Sequence, residues 1–120
     1  MLSVKWKNPT TAREFSREII EHGGVTNDVS EAMILEQASL ASTDFLIYTG
    51  NFCGYCRALK NLLDNKGLSY TEHNFDQAPP EMRIAVVQAT GHRTVPVVFD
   101  LRDEQPLFIG GFDETKRYLK

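Results

Sequence analysis

Phe45-Leu46-Ile47-Tyr48-Thr49-Gly50-Asn51-Phe52-Cys53-Gly54-Tyr55-Cys56 is the stretch on which the fold of this chain turns. It opens with an apolar run of strand length. A loop follows, and the loop enters a helical pattern over residues 55–66, with Leu59, Leu62 and Leu63 on one face. Gly67 supplies the C-terminal stop. The chain's two cysteines stand where loop becomes helix, with two residues between them. Thiols on adjacent corners of one helical turn can close a disulfide, or act in turn as attacker and resolver.

Downstream, strand and helix patterns alternate. Residues 68–75 alternate apolar and polar side chains and read as a second strand. Pro79-Pro80-Glu81 opens a second helix carrying Met82, Ile84, Ala85, Val86 and Val87, which Gly91 ends. Val97-Val98-Phe99 is a third strand and residues 106–109 hold a fourth, with Asp103-Glu104 in the turn between them. Gly110-Gly111 breaks the chain before a final helix over 112–119. The order β-α-β-α-β-β-α predicts an α/β fold with a mixed four-stranded sheet flanked by helices. Strands joined through a helix are expected to run parallel with right-handed crossovers. The last two, joined by a short turn, are expected to pair antiparallel.

Upstream of Asp44 the pattern is helical. Thr11 and Glu14 form a capping-box signature before Phe15, Ile19 and Ile20, and Gly23-Gly24 stops that run. A second helix is expected to start after Asp28, with Met33, Ile34 and Leu40 on its apolar side. The division is therefore a helical extension over 1–43 and an α/β domain over 44–120.

Composition narrows the function. A chain of 120 residues that is 42% hydrophobic can build a real core. Its net charge of −3 speaks against a general nucleic-acid binder. No apolar run reaches membrane-spanning length, and the first residues lack the apolar core of a signal peptide. Two cysteines are too few for a secreted disulfide scaffold. The expectation is a cytoplasmic chain with no membrane or nucleic-acid partner, in which the pair is catalytic.

A thiol must be ionised to attack, and a free cysteine is mostly protonated at neutral pH. Cys53, at the tip of the helix, meets unpaired backbone N–H groups and the positive end of the helix dipole. Cys56 lies one turn further in and should be more buried. The asymmetry makes Cys53 the nucleophile and Cys56 the resolver. Gly54 eases the turn from strand into helix, and Tyr55 puts a ring at the rim. Zinc is the competing reading of such a pair, but it needs four ligands. His73 and His92 have no ligand-like spacing, so no metal site is expected. Two inert buried cysteines would fit the strand–loop–helix context poorly.

Three further motifs accompany the pair in order: Tyr48-Thr49 before the loop, Thr94-Val95-Pro96 at the third strand, and Gly110-Gly111-Phe112-Asp113 before the last helix. Together with Cys53-Gly54-Tyr55-Cys56 they resemble the glutaredoxin family, over residues 44–120. The resemblance implies a thioredoxin-like fold and glutathione as cosubstrate. It implies a cis bond before Pro96, facing Cys53, and a Val95 backbone that pairs with the cysteinyl part of glutathione. Thr94 flanks that contact. Gly111, Phe112, Asp113 and the N–H groups at the start of the last helix would take the γ-glutamyl end, with Asp113 on its ammonium and the helix N-terminus on its carboxylate. Arg83 stands where relatives often place a basic or amide residue for the glycyl carboxylate. Disulfide-bonded or glutathionylated proteins would be the substrates. Ribonucleotide reductase, reductases of sulfate or arsenate and general protein thiols are all family options. A monomer is expected.

Two departures stand out. Many relatives carry lysine after Tyr-Thr, where this chain has Gly50, and proline between the cysteines, where it has Gly54. Arg57 and Arg83 offer partial compensation for the missing cation. Two rival functions share the fold. One is a redoxin reduced by thioredoxin reductase, against which Asp113 and Thr94 argue. The other is a carrier in which two subunits and two glutathiones hold a [2Fe–2S] cluster through Cys53.

Overall fold

The structure, a computed structural model, describes residues 26–120. The helix expected around 11–23 lies outside the described residues. Within them the chain forms α1 (Thr26–Leu40), β1 (Phe45–Thr49), α2 (Gly54–Asn65) and β2 (Tyr70–Asn74). A 3-10 turn (Phe75–Gln77) leads to α3 (Pro80–Thr90), β3 (Val97–Asp100), β4 (Leu107–Gly110) and α4 (Phe112–Tyr118). The expected thioredoxin-like order is present, preceded by a helix.

The sheet order is β2-β1-β3-β4. β1 pairs with β2 in parallel, Phe45 opposite Tyr70 and Thr49 opposite Asn74. β3 runs antiparallel to β1, with Tyr48 opposite Val97, and β4 antiparallel to β3. One expectation is corrected here: β2 and β3, although joined through α3, do not run parallel. The register gives the reason. The last residues of β1 and β2 and the first of β3 share one end of the sheet. The connection through α3 therefore starts and finishes at that end and is not a full-length return. This inversion delivers Pro96 beside the cysteine loop.

β1 is central and buried along its whole length. Its alternating side chains feed two cores. Phe45 and Ile47 pack with Leu59 and Leu63 of α2, Val98 and Ile109, and Phe112 and Leu119 join from the C-terminal end. Leu46 and Tyr48 pack on the other face with Ile34 of α1, Val86 and Ala89 of α3, Phe99 and Phe108. Helices thus cover both faces.

α1 departs from expectation at both ends. The helix begins at Thr26, two residues before Asp28. Leu40 is 77% exposed while Ile34 is fully buried. Six residues at about 100° each put Leu40 about 120° away from Ile34 around the helix. Met33 and Ala38 flank Ile34 against the core instead.

Candidate active site

α2 begins at the cysteine pair. Cys53 is its N-cap, in extended backbone conformation, and its sulfur accepts a hydrogen bond from the backbone N–H of Cys56 at 3.1 Å. An orphan donor of the first turn thus points at the sulfur that must carry charge. Cys56 is 3% exposed and Cys53 is half-buried. The two form a disulfide with Cα atoms 5.2 Å apart, the oxidised form of the pair.

The loop ahead of Cys53 is held by carboxylate and amide groups. Asp76 accepts the N–H of Asn51 at 2.6 Å, and Asn74 donates to the Asn51 side chain at 3.1 Å. Phe52 has a positive φ of 53° and is fully exposed. A side chain at Gly50 would meet Asp76 Oδ2 at 3.2 Å and the Val95 side chain at 3.6 Å. The place where relatives carry lysine is thus bordered by a carboxylate. Behind the loop, Thr49 donates to Glu72, and Lys60 pairs with Glu72 at 2.7 Å. Burial raises the Glu72 pKa, but the bonds from Lys60 and Thr49 outweigh it and hold the carboxyl below its ordinary value. Lys60, one turn beyond Cys56, is directed to Glu72.

The Val95–Pro96 peptide is cis. It sets the Val95 carbonyl oxygen 3.9 Å from Cys53 Sγ. Beside it lies a cleft of about 250 Å³ lined by Tyr55, Thr94, Val95 and Pro96 together with Gly111, Phe112 and Asp113 at the start of α4. The Tyr55 ring is 65% exposed at the rim, 6.1 Å from the Phe112 ring. Residues from three motifs far apart in sequence thus surround one groove.

Arg83 is not among the residues of this cleft. Its guanidinium lies 5.4 Å over the ring of Phe75. Two lining residues were missed by the sequence reading, His92 and Glu114. Glu114 reaches back to accept the N–H of Gly111 at 2.8 Å. The spacing was legible as half a capping box, since Gly111 has no side chain to return the bond. His92 was weighed only as a zinc ligand. Its Nε2 is 3.3 Å from Thr94 Oγ1, a proximity that only the loop geometry creates.

Comparison with known proteins gives the family. The family model described as Glutaredoxin matches residues 45–103. A glutaredoxin of Vernicia fordii is 33% identical over 70% of this chain and 79% of its own length. One from Neisseria meningitidis is 34% identical over 59% of this chain and 79% of its own. A buckwheat glutaredoxin–glutathione complex superposes with a TM-score of 0.64 at 27% identity, over 78% of this chain and 82% of that one. A helix-tip cysteine pair facing a cis-proline, on this sheet order and with relatives this similar, places the chain in the glutaredoxin family, a family of thiol–disulfide oxidoreductases.

Proposed function

We propose that this chain is a glutathione-dependent oxidoreductase that reduces glutathione mixed disulfides and protein disulfides. The observation that carries the reading is Cys53 Sγ 3.9 Å from the carbonyl oxygen of Val95, a residue that also lines the cleft with Thr94, Pro96 and Asp113. In the first reaction the Cys53 thiolate attacks the glutathionyl sulfur of a mixed disulfide. That S–S bond breaks and the protein leaves as a thiolate, which takes up a proton. A second glutathione, as thiolate, attacks the glutathionyl sulfur now on Cys53. Glutathione disulfide departs and the Cys53 thiolate is restored. With a protein disulfide, Cys53 forms a mixed disulfide with the protein. Cys56 then resolves it by forming Cys53–Cys56, which two glutathiones reduce.

Along the cleft, the backbone of Val95 offers strand-like pairing to the cysteinyl unit. Asp113 offers a carboxylate to the γ-glutamyl ammonium. Arg83, parked over Phe75, would have to swing out to meet the glycyl carboxylate. A monomer acting in the cytoplasm completes the reading. The alternative is a carrier in which two subunits each give one Cys53 and two glutathiones complete the ligands of a [2Fe–2S] cluster; a brown protein after anaerobic expression would favour it.

The test is a glutathione-coupled assay on two variants. Cys56→Ser should keep deglutathionylation of a mixed disulfide and lose reduction of protein disulfides. Cys53→Ser should lose both. Equal loss of deglutathionylation in the two would refute the assignment of roles.

A further inference from the structure

Phe52 stands immediately before Cys53 and serves neither the core nor the cleft. Its ring is fully exposed, and it is not among the residues that line the cleft. Its φ of 53° lies in the left-handed region, which a bulky side chain rarely adopts. Among the described residues it is the one non-glycine with a positive φ. The neighbouring loop is held by polar groups. Asp76 accepts the Asn51 N–H, Asn74 donates to the Asn51 side chain, and Asn74 also accepts the Asp76 N–H at 2.8 Å. Glycine would take this conformation without strain, and a polar side chain would suit the exposure. Strain of this kind gathers at functional sites, where the surroundings impose it. A second ring at this rim, Tyr55, is 65% exposed. Apart from the cysteine thiols, no side chain from 50 to 56 ionises near neutral pH. The loop thus presents two aromatic rings and no fixed charge beside the reacting sulfur.

We propose that Phe52 is a specificity-determining contact for the protein half of the disulfide substrate, and that it favours proteins whose reactive cysteine is flanked by apolar side chains. This rests on the reading of the cleft as a glutathione site. In attack on a glutathionylated protein, Cys53 Sγ bonds to the glutathionyl sulfur while the bond from that sulfur to the protein's sulfur breaks. The protein's sulfur leaves with the electron pair and takes up a proton. The three sulfurs lie close to one line, so the protein's cysteine is only two S–S bonds from Cys53 during transfer. Residues on either side of that cysteine therefore reach the surface around Cys53. The cleft takes the glutathionyl half. Phe52, outside the cleft and next to Cys53 in the chain, is placed for the half that the cleft does not hold. An exposed phenyl ring offers apolar area to bury and has only two χ angles to fix. Charged or strongly polar flanking groups would lose water against it with no partner in return.

The probes are two glutathionylated pentapeptides, one with leucine on each side of the cysteine and one with serine. They compete at equal concentration for the full chain in the presence of glutathione, and chromatography follows the release of each free peptide. The ratio of the two rates is the ratio of kcat/KM. Dividing it by the ratio for uncatalysed exchange with glutathione removes the peptides' own reactivity. The wild type is expected to prefer the leucine peptide about fivefold, the range of partial burial of one such side chain. Phe52→Ala should treat the two peptides alike, and Phe52→Trp should keep the preference. A loop rearrangement would slow both peptides together and leave their ratio unchanged. A wild type without preference, or a preference that survives in Phe52→Ala, overturns the inference and leaves the glutathione reading standing. If the wild type releases neither peptide, the glutathione reading falls and this inference with it.

Discussion

At the residue scale, the chemistry of this chain depends on what surrounds one sulfur. Cys53 gains a backbone donor from the first turn of α2. It does not gain the cation that relatives place at position 50, and Asp76 sits beside that gap. Gly50→Lys tests this balance. The new ammonium can pair with Asp76 and favour the Cys53 thiolate. Near neutral pH the reduced variant should react with iodoacetamide about two- to fivefold faster, the effect of one partly screened charge. An unchanged rate would mean that backbone donors alone set the reactivity. The half-buried Cys53 and the buried Cys56 were legible from residue type and order, and the cis bond before Pro96 from the family resemblance. His92 was not, because nothing along the chain announces that a loop will turn its ring toward Gly111. The family resemblance put Arg83 at the glycyl carboxylate; in the structure its guanidinium lies over the Phe75 ring.

At the element scale, two short helix starts do the positioning. α2 starts on Cys53, and its buried Leu59 and Leu63 lock it against Phe45 and Ile47. α4 starts on Gly111, which is buried and relies on the Glu114 carboxylate for its N–H. Glu114→Ala would leave that N–H without its partner. The expected cost is about 1–2 kcal/mol of stability, seen as a lower urea midpoint with an unchanged slope. Equal midpoints would show that water replaces the carboxylate at no cost. Most boundaries from β1 onward were readable from glycine, proline and capping signals, while the start of α1 was not. Nor was the direction of β3. The rule that helix-joined strands run parallel presumes a connection that returns the length of the strand, whereas the one from β2 to β3 begins and ends at the same end of the sheet.

At the scale of the whole molecule, the two cores and a polar cluster hold the layers together. Ile34 of α1 is fully buried beside Leu46, Tyr48 and Val86. Tyr48 donates its hydroxyl to Gln37 of the same helix. Ile34→Ala should cost about 2–5 kcal/mol by cavity formation, with a lower melting temperature and unchanged activity in the cold. A loss under 1 kcal/mol would show that α1 packs loosely. At the far end of the sheet, Asp100 accepts two bonds from the Arg102 side chain and one from the Tyr118 hydroxyl at 2.6 Å. Burial pushes the Asp100 carboxyl up, but the bonds from Arg102 and Tyr118 outweigh burial and leave its pKa lowered. A lowered folded-state value means stability that is present above the unfolded carboxyl range, about pH 4, and lost as pH falls through the folded value. Tyr118→Phe should therefore cost about 1 kcal/mol at pH 7. The gap in melting temperature between it and the wild type should narrow by pH 3. A gap that stays constant would remove Asp100 from the acid response.

The residues in their order were enough to establish the strand–helix alternation, the redox pair and its asymmetry, and the family to which they belong. Each of these rests on local signals: apolar period, turn residues, and two thiols one helical turn apart. Tertiary structure alone decided that β3 runs against β1, that Ile34 joins a core with Leu46, Tyr48, Val86 and Phe99, and that His92 and Glu114 line the cleft. Those outcomes depend on which surfaces meet when apolar faces are buried together, and a pairing between distant segments leaves no periodic trace in either one.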